Sequence, residues 1–576
     1  MSFIDFRDVS FTYPGQKEAA LKNVSFTLEK GKHIAVIGGN ASGKSTMTRL
    51  MIGLLIPDSG QVLVDGRDTS DKSLHRQIRT RAGLVFQNPS TQIVATVVRE
   101  DAAFGPENLA LDSSEIKDRV RDALKETSLS DLSARATHML SAGQQQRLAL
   151  AGILAMGTGC LILDEAESML NPLGRCQLNS LLEELHTEGF TVIRITHFMD
   201  QASRADQILL LHQGRLIENS SPELFVERSD DLESWSLKPS PVQKLGAYFS
   251  ADLPEVKKIF LEEDLADKLK SSCRIDNSAA PRASHKSREE SPLDKDGDTE
   301  RDVIIRLSSV SRSYGSKSAV TVDALRDVSF KLFRGESVSV MGTTGSGKST
   351  FLQILNSLLL PDTGELTLLS ENPLDKKTDL ARLRSRIGLV MQQPEKQLFA
   401  SLVGDDVAFG PYQMGLRGRE LSLRVKDALD QVGLSYKGYK DFPVRALSGG
   451  QKRKAALAGV LAMKPEVLLL DEPTAGLDPL SADNMESILR SLHKDGLSLI
   501  TVTHNVEQAV RLSERLLVFR EGRIFWDGGI SEFFQNHDPG IFGLEYPLSS
   551  RIALALGMRP LPVTPAELYA RLECRV

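Results

Sequence analysis

Gly38-Gly39-Asn40-Ala41-Ser42-Gly43-Lys44-Ser45-Thr46 follows the apolar run His33-Ile34-Ala35-Val36-Ile37. Gly342-Thr343-Thr344-Gly345-Ser346-Gly347-Lys348-Ser349-Thr350 follows Ser337-Val338-Ser339-Val340-Met341 in the same way. Each stretch satisfies G-x4-G-K-S between a strand-like run and a helical pattern. The glycines let the backbone turn so that successive N–H groups point inward, and a helix beginning near Lys44 or Lys348 adds its N-terminal dipole. Such a loop is built to hold phosphate. Lys44 and Lys348 neutralise β/γ-phosphate charge in this reading, and Ser45 and Ser349 ligate Mg²⁺.

The rest of the chain repeats around these loops. Gln87 and Gln392 each follow an apolar strand (83–86 and 388–391) and are placed to reach Mg²⁺. Asp164-Glu165 and Asp471-Glu472 each end an apolar run. The aspartate holds Mg²⁺ through water, and the glutamate polarises the water that attacks the γ-phosphate. His197 and His504 end the next strands and serve as γ-phosphate sensors that steady that water. Tyr13 and Tyr314, early in each half, are placed to stack on adenine. Lys348 follows Lys44 by 304 positions, and Asp471 and His504 each follow their counterparts by 307. A period that long is a duplicated domain, because solenoid repeats run to roughly 20–50 residues.

One further pair carries the most meaning. Leu140-Ser141-Ala142-Gly143-Gln144 and Leu447-Ser448-Gly449-Gly450-Gln451 each open a helix. A serine hydroxyl, small-residue N–H groups and a helix tip form a second anion site. One ATP has a single γ-phosphate, which the phosphate loop already holds. The second site makes sense if each half grips the ATP of the other, so that the two halves pair within the chain.

At 576 residues, with 41% apolar and 25% charged content, the chain reads as several globular domains. Strands alternating with helices imply an α/β core with a parallel sheet, and the alternating patterns at 1–30 and 303–331 imply antiparallel strands. The expected organisation is a first domain at 1–235, a small extension at 236–270, a flexible tether at 271–302, a second domain at 303–542 and a matching extension at 543–576. The tether holds Pro281, Pro292 and clustered charges and serines, and cannot bury enough surface to offset its ordering entropy. In the extensions Leu261, Leu265 and Leu269, and the pairs Ile552/Leu556 and Leu568/Leu572, lie at helical spacing.

The net charge of −6 gives no global attraction to nucleic acid, and none is expected as a partner. Cys160, Cys176, Cys273 and Cys574 are scattered without metal-ligand spacing, which fits reduced thiols better than a disulfide framework. No signal peptide is expected, and no apolar run approaches the ~18 residues needed to span a bilayer. Any membrane role therefore comes through a partner.

This ordered motif set resembles that of the ABC-type ATPases over nearly all of both halves. The resemblance implies two P-loop NTPase domains, each with a parallel-sheet core, an antiparallel β subdomain and a helical subdomain. It also implies ATP and Mg²⁺ as cofactors. A narrower likeness follows the glutamine turns. Ala102-Ala103-Phe104-Gly105-Pro106 and Val407-Ala408-Phe409-Gly410-Pro411, with the helices continuing through Arg147–Gly152 and Arg453–Gly459, resemble the energy-coupling factor (ECF) importer ATPases. Those drive uptake of vitamins or of cobalt and nickel. That resemblance implies a membrane coupling protein and a separate membrane substrate-binding protein as partners, with the chain peripheral on the cytoplasmic face. Glu100, Asp101, Asp405 and Asp406 are then placed to pair with basic residues of the docked partner. Two other readings share the duplication. A tandem sugar-importer ATPase lacks Phe-Gly-Pro at this place. A soluble ribosome-associated tandem ATPase carries a charged helical connector, unlike the Pro- and Ser-bearing tether.

The first half departs from the pattern. Ala142 replaces a signature glycine, and Asn171 stands where the second half has Asp478. In the crossed arrangement both face the ATP on Lys348, which is expected to turn over more slowly than the one on Lys44. Ala166 and Glu167 stand where the second half has Pro473 and Thr474.

Overall fold

The computed structural model describes residues 2–574 except Ser168, Met169, Asn171, His197, 228–231, Glu233, Ser236, 276–301, 316–321, Pro394 and Glu395. It divides into two compact units, Met1–Ser271 and Ser272–Arg575.

In the first unit the alternating N-terminal segments form an antiparallel sheet in the order Leu21–Glu29, Ser2–Phe11, Ser59–Val64, Arg67–Asp68. Phe3, Ile4, Phe6, Val9 and Phe11 of the long strand are buried. A strict period of two would put Phe6 and Val9 on opposite faces. The register shift between them, with Asp8 at φ 49°, inserts the residue that keeps both inside. The second unit repeats the device at Ser309, φ 50°. There Val322–Phe333, Val303–Tyr314 and Thr363–Leu368 form the sheet.

Each unit also holds a six-stranded core sheet. The first runs Arg215–Ser220, Gln207–His212, His33–Ile37, Thr191–Ile195, Cys160–Asp164, Ala82–Val85. The second runs Arg523–Gly529, Arg515–Arg520, Ser337–Gly342, Ser498–Val502, Val467–Asp471, Ile387–Val390. Five strands of each are parallel, and the outermost hairpin strand is antiparallel. The central strands are buried along nearly their whole length because both faces are covered, so even Ser337 and Ser339, which alternate with valines, lie inside. Their carboxyl ends collect the phosphate loop, the glutamine turn and the acidic pair, where an open parallel sheet binds its ligands.

A helical subdomain inserts between the glutamine turn and the acidic strand. In the first unit it comprises Val98–Asn108, Ser113–Glu126 and Ala142–Ala155, packed through Val98, Ala102, Leu124, Leu148 and Ala151. In the second it comprises Val403–Gln413, Gly418–Gln431 and Gly449–Leu461. The Phe-Gly-Pro segments have a packing reason. A Cβ on Gly105 would come within 2.6 Å of Met156, and one on Gly410 within 2.8 Å of Met463. Glycine therefore lets this helix lie tightly against the far end of the helix Ala142–Ala155 or Gly449–Leu461, while Phe104 and Phe409 point outward at 46% exposure each.

In the first extension Leu265 and Leu269 are buried in the helix Glu262–Ser272. In the second, Ile552 is buried in Leu548–Ala555 and Leu556 is its buried C-cap. Leu568 and Leu572 are buried but do not share a helix. The helix Pro565–Tyr569 stops first, and Leu572 begins the strand Leu572–Cys574. Of the expected tether, residues 271–275 complete a helix and a short strand, and 276–301 lie outside the described residues.

The cysteine reading is corrected. Cys273 and Cys574 form a disulfide across 301 positions, where Cys273–Ile275 pairs antiparallel with Leu572–Cys574. Spacing along the chain carries no trace of this contact, because the pairing of the two strands makes it. Cys160 and Cys176 are free thiols. Without reductant, denaturing electrophoresis should show a faster-migrating band that Cys574→Ser abolishes; alkylation of all four cysteines in the untreated chain would refute the bond.

Candidate active sites

In the first unit the strand His33–Ile37 runs into Gly38, whose φ of 152° and close approach to the Leu211 carbonyl (2.2 Å from an added Cβ) admit only glycine. Gly43, at φ 104°, begins the helix Lys44–Met51. Lys44 is buried, and its Nζ donates to the carbonyls of Gly38 and Gly39 at 2.9 Å each. The same ammonium lies 3.9 Å from Glu165. Ser45 Oγ donates to Asp164 Oδ1 at 3.0 Å, so the two expected Mg²⁺ ligands are adjacent. Gln87 Nε2 donates to Glu165 Oε2 at 2.8 Å. Tyr13 OH lies 3.2 Å from Thr46 Oγ1, which puts its ring beside the end of the loop.

The second unit rebuilds this set. Lys348 Nζ donates to Gly342 O and Thr343 O at 2.8 Å each. Ser349 Oγ donates to Asp471 Oδ2 at 3.0 Å, and Tyr314 OH lies 3.3 Å from Thr350 Oγ1. His504 Nε2 lies 3.1 Å from Glu472 Oε1. Glu165 and Glu472 both hold left-handed backbone, φ 50° and 52°. A non-glycine residue there is strained by roughly 1–3 kcal/mol and persists where the surroundings dictate it. His197 and Asn171 lie outside the described residues. Asp478 caps the helix Pro479–Lys494, accepting from the amides of Leu480 and Ser481 at 3.0 Å each.

Burial, more than neighbouring charge, tunes the second site. Burial, and then the neighbouring Asp471, push Glu472 up to about 7. Burial pushes His504 down to about 4, with Lys348 adding to it, and holds Lys348 near 8. Burial also raises Asp164 and Asp471. Two desolvated carboxylates beside one lysine and a serine form a donor set suited to a hard dication. Inside the loops the hydroxyls of Ser42 and Ser346 are buried without a hydrogen-bond partner among the described residues. Asn40, Ala41, Thr344, Gly345 and Gly347 complete the turns, with Ala41, Gly345 and Gly347 at positive φ. These residues fit a bound triphosphate and its metal.

At the signature helices, Ser141 and Ser448 form capping boxes with Gln144 and Gln451. An added Cβ on Gly449 meets nothing within 4 Å, and on Gly143 only Leu170 at 3.5 Å. Gly450 packs closer, with Ser481 at 3.1 Å from an added Cβ.

Two findings were not read from sequence. Arg453, buried in the signature helix, donates from Nη1 to the Glu472 carbonyl at 2.6 Å and from Nη2 to the Gln392 carbonyl at 2.7 Å. It thus ties the helix to both the glutamine turn and the acidic turn. Lys452 and Lys454 flank it in the sequence, so the residue types alone do not single out the buried cation. The docking acids are also corrected in part. Asp101 Oδ1 accepts from the amides of Val94 and Ala95 at 2.7 and 2.8 Å. Asp406 Oδ2 accepts from those of Phe399 and Ala400 at 2.9 and 2.8 Å. These two carboxylates hold the loop before the helix, whereas Glu100 and Asp405 are exposed.

The sequence profile of the ABC transporter family matches residues 21–168 and again 325–475. A Bifidobacterium longum protein named provisionally as an ABC transporter ATP-binding protein is 35% identical over 535 residues, 89% of this chain and 64% of its own length. One from Methanosarcina acetivorans is 32% identical over 561 residues, 95% of this chain and 89% of its own. Among solved structures, the chain is similar to cbiO1 from Clostridium perfringens, described as part of the ABC transporter complex cbiONQ. Identity there is 35%, coverage 41% of this chain and 92% of that one, and the TM-score 0.37. Two phosphate loops, two acidic turns and two signature helices on one polypeptide agree with the family profile and the two relatives: the chain belongs to the ABC transporter family and is an ATPase with two such domains in tandem.

Proposed function

We propose that the chain is the ATP-driven energy-coupling subunit of an ECF-type membrane importer for a vitamin or a transition-metal ion. Its partners are a membrane coupling protein and a separate membrane substrate-binding protein, and it works from the cytoplasmic face. The observation that carries this reading is the duplicated Phe-Gly-Pro helix after each glutamine turn, with glycine packed inward and Phe104 and Phe409 held outward. Beside Phe409 stands Phe399, 66% exposed, with ring centroids 4.8 Å apart and edge-on geometry. Exposed aromatic pairs of this kind suit a helix from an apolar partner. No helix among the described residues is long and apolar enough to cross a membrane.

In the proposed cycle the two halves pair head to tail around ATP. Lys44 and Lys348 grip the β/γ-phosphates. Ser45 with Asp164, and Ser349 with Asp471, hold Mg²⁺ within reach of Gln87 and Gln392. When bound, that ion neutralises phosphate charge. Tyr13 and Tyr314 support adenine. The helix tips at Ser141-Ala142-Gly143-Gln144 and Ser448-Gly449-Gly450-Gln451 grip the γ-phosphate of the opposite half. Glu165 and Glu472 polarise the attacking water, and His197 and His504 steady it. Loss of such a base lowers the rate on the order of 10²–10⁴-fold.

Lys44→Ala or Lys348→Ala should each reduce nucleotide bound per chain from two to one, measured by equilibrium dialysis in the presence of Mg²⁺; an unchanged count would remove the phosphate-loop assignment. For docking, Phe399→Ser with Phe409→Ser should abolish co-purification of integral membrane proteins while ATP binding persists. Recovery of the unaltered chain in a ribosome pellet, with no membrane protein attached, would favour the translation-associated reading instead.

A further inference from the structure

Glu167 and Arg194 form a buried ion pair in the first unit that no step of the proposed reaction uses. Arg194 lies on the strand Thr191–Ile195, beside Leu163 of the acidic strand. Its Nε donates to Glu167, and its Nη2 donates to Asn179 Oδ1 at 2.5 Å. The two charged side chains are only 4% and 3% exposed. Glu167 stands two residues beyond Glu165, whose own amide donates to the carbonyl of Ile195, the neighbour of Arg194, at 3.3 Å. The turn bearing Glu165 is thus fastened to this strand on both sides.

The second unit solves the same problem without this pair. Thr474, Thr501 and Glu486 stand 307 positions after Glu167, Arg194 and Asn179. Thr474 Oγ1 donates to Gln508 at 3.3 Å, and Glu486 pairs instead with Arg511 at 2.8 and 3.0 Å. The guanidinium on the acidic turn there is that of Arg453, from the signature helix. At the position 307 residues before Arg453 the first unit has Gln146, buried, with neither side-chain polar atom partnered among the described residues. Each acidic turn is therefore held by one buried guanidinium, taken from the helix in one half and from the sheet in the other. A buried ion pair is seldom more stabilising than well-packed neutral residues, because both ions lose their hydration. The second half shows that the fold does not require it. Stability is a poor reason for the pair, and geometry is a better one.

We infer that Glu167 and Arg194 are positioning residues for the Glu165 carboxylate, replacing in the first site the brace that Arg453 provides in the second. The inference rests on the reading of Glu165 as the water-polarising group. It makes the two sites mechanically unlike. Displacement of the signature helix reaches Glu472 through Arg453, whereas Glu165 is referenced to the sheet.

ATP turnover of the full chain tests this, with melting temperature followed in parallel. Arg194→Met should lower kcat on the order of tenfold to a hundredfold, the scale of a misplaced reacting group, with KM for ATP changed less than about threefold. Glu167→Thr with Arg194→Thr, which reproduces the second half, should restore the melting temperature but not kcat. Adding Gln146→Arg to that pair should recover kcat. If kcat instead follows the melting temperature across the set, or the neutral double variant turns over normally, the pair is merely structural and the inference fails. Glu165→Gln separates the two claims. Normal turnover in that variant removes the base assignment and the brace with it, whereas a large loss there with no loss in Arg194→Met removes the brace alone.

Discussion

A buried ammonium beside an acidic strand end is the constraint on which each half depends. Lys44 and Lys348 are held by two loop carbonyls apiece, at the point where a parallel sheet gathers its carboxyl ends. Those bonds require the loop to fold back over the helix start, and only glycine fits where Gly38 and Gly342 approach the neighbouring strand within 2.2 Å of an added Cβ. Once the lysine is fixed, the serine after it meets the aspartate from the adjacent strand. The glutamate beyond that aspartate is driven into left-handed backbone. Desolvation then raises the carboxylates and lowers the lysine and histidine of the second site.

The duplication preserved this arrangement while letting its supports diverge. The second half pairs its buried Glu486 with the partly exposed Arg511, and braces its acidic turn from the signature helix. The first half buries Glu167 against Arg194, and its Arg204 turns to Glu263 of the extension. Three positions differ together because a charge placed in a protein interior needs its counter-ion and its hydrogen-bond acceptors at once. A comparison of motifs sees Glu167 as one irregular residue. Packing shows it to be one member of a set.

Much of the molecule was legible beforehand for a physical reason. Phosphate loops, acidic strand ends and signature helices are local: a few consecutive residues set φ, burial and charge, and their spacing survives in the chain. The helices starting at Lys44 and Lys348 begin at the expected residue, and the core strands agree to within a residue or so. What failed was non-local. Leu568 and Leu572 have helical spacing but lie in different elements, since the terminal segment pairs as a strand with Cys273–Ile275. Asp101 and Asp406 look like exposed docking charges in the sequence, yet each carboxylate is consumed by two loop amides.

The sequence by itself determined the fold class, the doubling and which motif residues gather at each sheet end, because those follow from short patterns with strong local preferences. Tertiary structure alone decided which cysteines meet, which acids remain exposed, why Phe-Gly-Pro needs its glycine, and from which side each acidic turn is held. Those are facts about neighbours distant along the chain, and side-chain identity carries no address for the partner that packing will bring.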